Sequence, residues 1–474
     1  MRCTFQIVAV AASVLAPLAH AAQPNIVVII TDDLTYAGYS YTGNANVVTP
    51  HVDQLIQDGV FVEQAYATHA VSAPSRAALM TGRYQSRFGY ETLTGNDKEG
   101  RKLDYGVSTK EIFLSEVLAE QGYNTGAFGK WHLGVNDHYQ PNQRGFDYFF
   151  GFPGGSSYSN WNRLVENGEP VEGEGYITDA LGDQATTFID AHKDEPFFLY
   201  FAPFSVHAPY EVSAEYLPEG FTKTRVPKPK GEHGDPQSLA DAQIVYDAMI
   251  VSFDAQVGKI TEKLRELGLE ENTLVILTND NGGSTLHPNG EFSGGKASLN
   301  EGGLRMPFAV KWPAKLDAGQ SYGDGIVSNL DIFPTAVAAA GGAMPDDRDY
   351  DGTDLLPYLT GQAQGSPRQE LFWRSGRGHA VRWNNYKLLW ESDRNAMDQA
   401  FVERHDRKRR KQDLPLYELK ELYTAPRLYD LSQDVAEQND LARSHPEVVE
   451  SLLKKIESFD RLRVEDKIQG EATR

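Results

Sequence analysis

Acidic and amide side chains follow two of the most apolar stretches of the chain. One stretch ends just before Asp32 and Asp33, and another ends shortly before Asp280 and Asn281. Carboxylate and amide oxygens are the ligands that hard divalent cations such as Ca²⁺ and Mg²⁺ prefer. Taken alone, the first pair also fits a helix cap and the second a tight turn. Their joint occurrence favours a metal site.

A serine with nearby positive charge lies in the segment Ser72-Ala73-Pro74-Ser75-Arg76. Pro74 fits the first turn of a helix, which places Ser72 just ahead of that helix. Backbone amides and the dipole at a helix start stabilise developing negative charge, and Arg76 adds a fixed cation. The segment therefore suits a nucleophile or an oxyanion site. The alternative is that Ser72 only caps the helix.

Basic side chains follow two further apolar stretches. Lys130 and His132 come after one, and His207 comes after the other. A single lysine or histidine in a loop is usually solvated or makes an ordinary hydrogen bond. Acids, an amide, a lysine and two histidines gathered beyond several strands instead indicate a functional site.

Four apolar runs have the length and composition of strands that are buried on both faces. They are Asn25 to Ile30, Thr125 to Phe128, Phe197 to Phe201 and Thr273 to Leu277. Helical patterns lie between them, at Thr109 to Gln121, Asp179 to His192 and Ala240 to Leu267. This alternation predicts an α/β layer fold, in which ligands bind beyond the carboxyl ends of the strands.

The pattern changes after about residue 366 to shorter alternating segments. His379 to Trp383 and Tyr386 to Trp390 are typical of antiparallel strands, and a final helix is predicted from Pro446 to Leu462. The predicted organisation is a signal peptide at 1–21, a catalytic domain at 22–366 and a smaller C-terminal α+β domain at 367–474, joined near Gly361 to Pro367.

Residues 1–21 have the features of a signal peptide, with Arg2, an apolar stretch and small residues at Ala19-His20-Ala21. The apolar stretch is too short for a membrane anchor, so we predict an exported protein, periplasmic or secreted. The one cysteine, Cys3, lies in this segment, which leaves no thiol nucleophile afterwards. A net charge of −21 argues against nucleic acid and anionic membranes as partners.

The serine segment and the sequence that follows it, Leu79-Met80-Thr81-Gly82-Arg83, resemble the signature of the type I, formylglycine-dependent sulfatases, Cys/Ser-x-Pro-x-Arg with a Thr-Gly-Arg extension. Further blocks resemble the same family in the same order. They are NIVVIITDD, GKWHLG, TNDNGG, GGKASLNEGGLRMPFAVKWP and, near the C-terminus, LYDLSQDVAEQNDL. The resemblance implies an alkaline phosphatase-like fold with a large, mostly parallel central sheet between helices.

The resemblance also implies roles for individual residues. Ser72 would be oxidised to formylglycine (3-oxoalanine), whose hydrated aldehyde is the nucleophile, and Arg76 would hold that hydrate. Lys130 and Lys296 would bind sulfate oxygens, His207 would protonate the leaving oxygen and His132 would deprotonate the hydrate. One Ca²⁺ would be held by Asp32, Asp33, Asp280, Asn281 and the modified Ser72.

Two positions depart from the commoner family pattern. Ser72 stands where cysteine is more frequent, which implies that an iron–sulfur radical maturase of the serine type makes the formylglycine. His51 stands where asparagine is more frequent, at a position that we expect to lie outside the chemistry.

The expected substrate is a sulfated carbohydrate outside the cell, with marine algal galactans such as carrageenan as one class. Five residues are candidates for binding the sugar beyond the sulfate: His69, Trp161, Arg163, His287 and Arg377. The basic run Arg404 to Lys411 could bind the sulfated chain, but such runs are more often solvated insertions.

Two other functions fit parts of the sequence. A phosphate or phosphonate ester hydrolase of the same superfamily would use unmodified Ser72, but its two-metal site would need more ligands than the sequence offers. A non-catalytic carbohydrate-binding protein would keep the fold without oxidation of Ser72. Lys130, His132 and Lys296 argue against that reading, because a binding protein has little need of acid and base groups.

Overall fold

The computed structural model describes residues 23–91, 104–154, 157–229, 235–284, 289–376, 378–393 and 423–472. The predicted signal peptide, His287, Arg377 and the basic run from Arg404 to Lys411 lie outside these residues. Within the described part of the chain, no helix is both long and apolar enough to cross a membrane.

A ten-stranded mixed sheet forms the centre of the larger part of the protein. Its strands, in chain order, are β1 (Asn25–Thr31), β2 (Val60–Val62), β4 (Asn124–Lys130), β5 (Tyr148–Phe152), β6 (Val165–Glu166), β7 (Glu169–Pro170), β8 (Phe197–Ala202), β11 (Thr273–Asn279), β12 (Ala309–Lys311) and β13 (Gln320–Tyr322). The spatial order is β13-β2-β12-β11-β1-β8-β4-β5-β6-β7, and the central pairs from β11 to β5 are parallel. Two small two-stranded sheets accompany it, formed by β3 (Ala65–Tyr66) with β14 (Val327–Ser328) and by β9 (Tyr210–Glu211) with β10 (Arg225–Val226).

Helices cover both faces of the large sheet. They are α1 (Pro50–Gln57), α2 (Ser72–Thr81), α3 (Leu114–Glu120), α4 (Ile177–Ala191), α5 (Pro236–Glu266), α6 (Glu301–Leu304), α7 (Ile332–Ala339) and α8 (Leu356–Leu359). Alternate residues of β1 enter different cores, because Val27 and Ile29 pack with α4 and α5 while Val28 and Ile30 pack with α2 and α7. Residues of β4, β8 and β11 are likewise divided between the two cores, so the predicted burial of these four strands on both faces is confirmed.

The C-terminal part contains a four-stranded antiparallel sheet and a long helix. The strands are β15 (Glu370–Ser375), β16 (Gly378–Trp383), β17 (Tyr386–Glu391) and β18 (Arg427–Asp430), and the helix is α9 (Pro446–Ala472). Leu452 and Ile456 of α9 are buried against Val381 and Leu388 of the sheet. The predicted α/β fold with a smaller C-terminal α+β part is confirmed.

One predicted helix is shorter than its pattern suggested. The sequence predicted a helix from Thr109, but α3 begins at Leu114. The Glu116 carboxylate accepts a hydrogen bond of 2.7 Å from the Phe113 amide, which fixes the helix start there. Glu111 pairs instead with Arg83 at 2.7 Å, so a long-range contact holds the preceding segment outside the helix.

Candidate active site

Parallel pairing of β1 with β11 brings the two acidic pairs together. Thr31 and Asn279 are the last residues of the two strands and lie opposite each other in the register. The next residues, which include the four predicted metal ligands, therefore emerge side by side at one edge of the sheet. The Asp33 amide donates to Asp280 Oδ1 at 3.3 Å, and the Asn281 amide nitrogen Nδ2 donates to Asp33 Oδ1 at 2.9 Å. All four side chains are buried.

Ser72 is the first residue of α2 and points into this acidic cluster. Its Oγ lies 3.1 Å from Asn281 Oδ1 and 3.4 Å from Asp32 Oδ1. The helix cap is Val71, and no side chain caps it. The alternative that Ser72 serves as the cap is therefore wrong, because its hydroxyl contacts the acidic cluster instead. At the other end, Gly82 terminates α2 in the left-handed conformation, with φ of 64°.

Arg76 lies one helical turn after Ser72 and is fully buried. Its Nε and Nη2 lie 2.9 and 2.8 Å from Asp280 Oδ2, and Nη2 lies 3.2 Å from Asp32 Oδ2. Its Nη1 donates to the Lys130 carbonyl and to the Tyr200 hydroxyl, each at 3.3 Å. Burial opposes the charged form, but Asp280 and Asp32 outweigh it and raise the pKa of Arg76. Arg76 thus fixes the position of both carboxylates.

Two lysines contact two aspartates of this cluster from different parts of the chain. Lys130, the last residue of β4, contacts Asp32, and its Nζ also lies 5.4 Å from the centre of the Phe204 ring. Lys296 Nζ lies 2.5 Å from Asp33 Oδ2. Burial alone would raise the pKa of both aspartates, but the neighbouring cations overcome it and lower the pKa values, so both carboxylates are ionised at neutral pH.

His207 lies beside Asp33 on the loop after β8. Its Nε2 is 3.5 Å from Asp33 Oδ2, and its Nδ1 is 2.5 Å from the Ala208 carbonyl. The carbonyl accepts the Nδ1 proton, so Nε2 is the nitrogen that faces the site. Tyr158 holds the loop, because its hydroxyl oxygen lies 2.8 Å from the carbonyl oxygens of both Phe204 and His207 and shares its one proton between them.

His132 lies in a turn directly after β4, with a φ of 67°. Its Nδ1 is buried and has no hydrogen-bond partner among the described residues. Burial and the positive charges of Lys130 and Arg76 place the pKa of His132 well below its ordinary value. The ring is therefore neutral and can accept a proton. Asp33 and Ala297 also adopt positive φ, at 61° and 66°, and strain of this kind concentrates at functional sites.

Three of the predicted sugar-binding residues, His69, Trp161 and Arg163, lie in the described part of the chain, and they differ in how exposed they are. His69 is buried, its Nδ1 accepts the Val71 amide hydrogen at 3.2 Å, and burial lowers its pKa to about 4. A neutral ring adds no charge for an anion. Trp161 donates its indole N–H to the Gly175 carbonyl at 3.0 Å and packs on the core, while Arg163 is exposed. Their predicted roles at the sugar remain predictions.

Sequence reasoning missed Tyr200 and Tyr158, whose hydroxyl groups contact Arg76 and the loop that carries His207. Tyr200 is buried at the centre of β8 and accepts a hydrogen bond from Arg76. A single hydroxyl within the apolar strand FFLYFA was the available signal, because a buried hydroxyl requires a partner. Tyr158 left no comparable signal in the sequence.

Comparisons with known proteins agree with this geometry. The family model Sulfatase matches residues 24–343, and the model for the C-terminal region of aryl-sulfatase matches residues 366–469. The chain is 32% identical over 489 residues to arylsulfatase A of Homo sapiens, covering 92% of this chain and 88% of that protein. It is 29% identical over 531 residues to the N-acetylgalactosamine-6-O-sulfatase of Bacteroides thetaiotaomicron, covering 92% and 93%. The crystal structure of Ps i-CgsB has a TM-score of 0.77 at 29% identity and covers 93% of each chain.

The chain therefore belongs to the sulfatase family. It is a sulfuric ester hydrolase with the alkaline phosphatase-like fold of that family, as the motifs predicted.

Proposed function

We propose that the protein hydrolyses sulfate esters of an extracellular sulfated carbohydrate, with a formylglycine made from Ser72 and one bound Ca²⁺. The observation that carries this proposal is the position of Ser72. Its Oγ lies at a helix start, contacts Asp32 and Asn281, and is one turn from the buried Arg76. The helix start and the Arg76 guanidinium stabilise negative charge on a nucleophile there, and the oxygens of Asp32 and Asn281 beside it suit a cation.

The oxygen donors around Ser72 fit a hard cation. The ion would be held by Asp32, Asp33, Asp280, Asn281 and the modified residue 72. The three aspartates are already balanced by the three cations that contact them, so a divalent ion would give the site the excess positive charge that an anionic ester requires. When bound, Ca²⁺ would stabilise negative charge on the sulfuryl oxygens. His207 lies within 4.8 Å of Asp32 and Asp33, but calcium prefers oxygen, so we reserve this histidine for proton transfer.

The lysines of the site would bind the sulfate group, and the histidines would transfer protons. Lys130 and Lys296 would bind sulfate oxygens, since each has a buried or half-buried ammonium group at the rim of the cluster. His207 would protonate the leaving sugar oxygen from Nε2 of its doubly protonated ring, in which Nδ1 still donates to the Ala208 carbonyl and holds the ring in that orientation. Burial lowers the pKa of this ring in the free protein although Asp32 and Asp33 oppose it, so the anionic ester would have to bind the protonated form. His132 is neutral, and its Nδ1 has no partner among the described residues. It would accept a proton from the formylglycine hydrate.

Two similar proteins support a carbohydrate substrate, and the signal-peptide pattern of residues 1–21 supports export. The N-acetylgalactosamine-6-O-sulfatase of Bacteroides thetaiotaomicron is named for a sugar sulfate, and Ps i-CgsB has been solved with the carrageenan oligosaccharide k-i-k-neocarrahexaose. We therefore place carrageenan-type galactans first among substrates. Residues 1–21 would direct export, and a serine-type maturase would remove the two hydrogens that convert Ser72 into the aldehyde.

Release of inorganic sulfate tests the proposal. The enzyme, produced together with a serine-type maturase, is incubated with carrageenan oligosaccharides and with a phosphate monoester of a comparable sugar, and the free anions are quantified by ion chromatography. We expect sulfate but little phosphate, and no sulfate from the Ser72→Ala variant. Faster release of phosphate, or full activity of Ser72→Ala, would contradict the proposal.

A further inference from the structure

A cavity of about 590 Å³ opens beside the catalytic His207. Its lining comprises His207, Ala208 and Pro209 on one side and Arg225, Pro227 and Lys228 on the other. This volume lies in the range of carbohydrate-sized ligand sites. Among the described residues that line it, none is acidic, although the chain as a whole carries a net charge of −21. The cavity is therefore a local cationic surface on an acidic protein.

The two sides of this cavity are joined by hydrogen-bonded structure. The β9–β10 ribbon pairs Tyr210 with Val226, so the strand after Pro209 is held next to the strand that carries Arg225. Val226 and Tyr210 are buried in the same core cluster, and the Val212 amide donates to the Thr224 carbonyl at 2.9 Å. The backbone of Arg225 is therefore fixed relative to the segment that carries His207, and Lys228 follows two residues after the paired strand.

The charges of these two residues are available to a ligand. The Arg225 side chain is 67% exposed, and its one ion pair in the described structure joins Nε to Glu211 at 3.5 Å, a length typical of a weak surface pair. Lys228 is exposed and makes no ion pair with any described residue. The terminal nitrogens of Arg225 make no hydrogen bond or ion pair with a described residue, so they can bind two anion oxygens.

The direction of the catalytic histidine indicates what enters the cavity. His207 Nε2 faces Asp33 and, under the proposed function, the leaving oxygen. The sugar attached to that oxygen must then extend past His207, and the cavity wall formed by 207–209 is the surface next to it. We infer that Arg225 and Lys228 bind a second anionic group on the carbohydrate, so that the enzyme prefers substrates carrying an anion beyond the sulfate that is removed. This inference rests on the proposed function.

The experiment compares the wild type with the double variant Arg225→Gln/Lys228→Gln. Three oligosaccharides of one backbone are used: monosulfated, disulfated, and monosulfated with a uronic acid. We expect the wild type to favour at least one dianionic substrate by about 5- to 30-fold in kcat/KM, mostly through KM, and the variant to lose that factor while keeping its rate on the monosulfated sugar within about twofold. If kcat/KM is raised only for the disulfated sugar, the second anion must be a sulfate. If it is raised equally for the sugar with the uronic acid, the site accepts a carboxylate as well as a sulfate.

The matched control is Lys263→Gln/Arg265→Gln, which removes two cations from the C-terminal end of α5. This end precedes the first residue of β11, whereas the site lies beyond the last residue of that strand. The control variant should leave the preference intact. Because exposed pairs are screened, the wild-type preference should also shrink as salt rises from about 0.05 to about 0.5 M. Equal wild-type rates on all three sugars, or an equal loss on all three in the variant, would overturn the inference while leaving the proposed function standing. Absence of sulfate release from every ester would overturn both.

Discussion

Replacing Lys387 with methionine is expected to reduce the free energy of unfolding by about 3–5 kcal/mol at pH 7, the cost of leaving buried charges unpaired. Lys387 lies on β17 and is fully buried. Its Nζ lies 2.8 Å from Glu301 Oε1 and 2.9 Å from Glu437 Oε1. Methionine has similar length and keeps the packing, so the substitution isolates the loss of charge.

The pKa of Glu301 gives an independent scale for this cost. Burial raises the pKa, but Lys387 above all, with Arg305 and Arg382, lowers it from 4.5 to about 2. At about 1.4 kcal/mol per pH unit, the ionised Glu301 contributes about 3 kcal/mol in the native protein. Because the folded pKa is depressed, this contribution is fully present above pH 4.5 and is lost as the pH falls toward 2.

The network also holds the segment that carries Lys296. Glu437 Oε2 accepts the Glu301 amide hydrogen and the Ser293 hydroxyl hydrogen, each at 2.8 Å. Urea unfolding followed by circular dichroism at pH 7 measures the stability change. The control is Lys454→Met, which removes an exposed lysine paired with Glu450 at 2.6 Å and should cost less than about 1 kcal/mol.

A compensating variant separates unpaired charge from lost packing. Lys387→Met combined with Glu301→Gln and Glu437→Gln removes all three charges and should recover at least half of the stability that Lys387→Met loses. Two results would refute the reasoning: a Lys387→Met protein within 1 kcal/mol of wild type at pH 7, or a triple variant less stable than the single one.

Three further predictions concern the site itself. Arg76→Lys should lower stability by about 2–4 kcal/mol in the same unfolding assay, because one ammonium group cannot replace a guanidinium bound to two aspartates, and an unchanged stability would contradict that role. Chelation should abolish sulfate release, and Ca²⁺ at about 100 times its Kd should restore it and add about 2.7 kcal/mol of stability; full activity after chelation would exclude the ion. Lys296→Met should lower kcat/KM by about 100-fold or more and, because it removes the nearest cation from the buried Asp33, should also cost about 1–3 kcal/mol of stability, whereas Lys315→Met, an exposed control, should leave both unchanged.

The strands that position the site could be predicted because their sequence signal is local. An apolar run buried on both faces predicts a central parallel strand, and Asp32 and Asp280 follow such runs closely. Parallel neighbours place their carboxyl ends at one edge, so the convergence of these residues followed from the pattern. The helix start at Leu114 could not be predicted, because the pairing of Arg83 with Glu111 depends on the folded chain.

The buried ion-pair network and the cationic cavity were beyond sequence reasoning for a related reason. Lys387 is 86 residues from Glu301, and in isolation each has the composition of an ordinary surface residue. Arg225 and Lys228 lie in a polar stretch without periodicity. Only the pairing of β9 with β10 shows that they line the same cavity as His207.

The most direct test of the central claim is peptide mass spectrometry of Ser72 in active enzyme from a host with a serine-type maturase. Oxidation of the alcohol to the aldehyde removes two hydrogens, so we predict a loss of about 2 Da on the peptide containing Ser72 and on no other serine peptide. An unmodified Ser72 in material that releases sulfate at full rate would contradict the formylglycine mechanism.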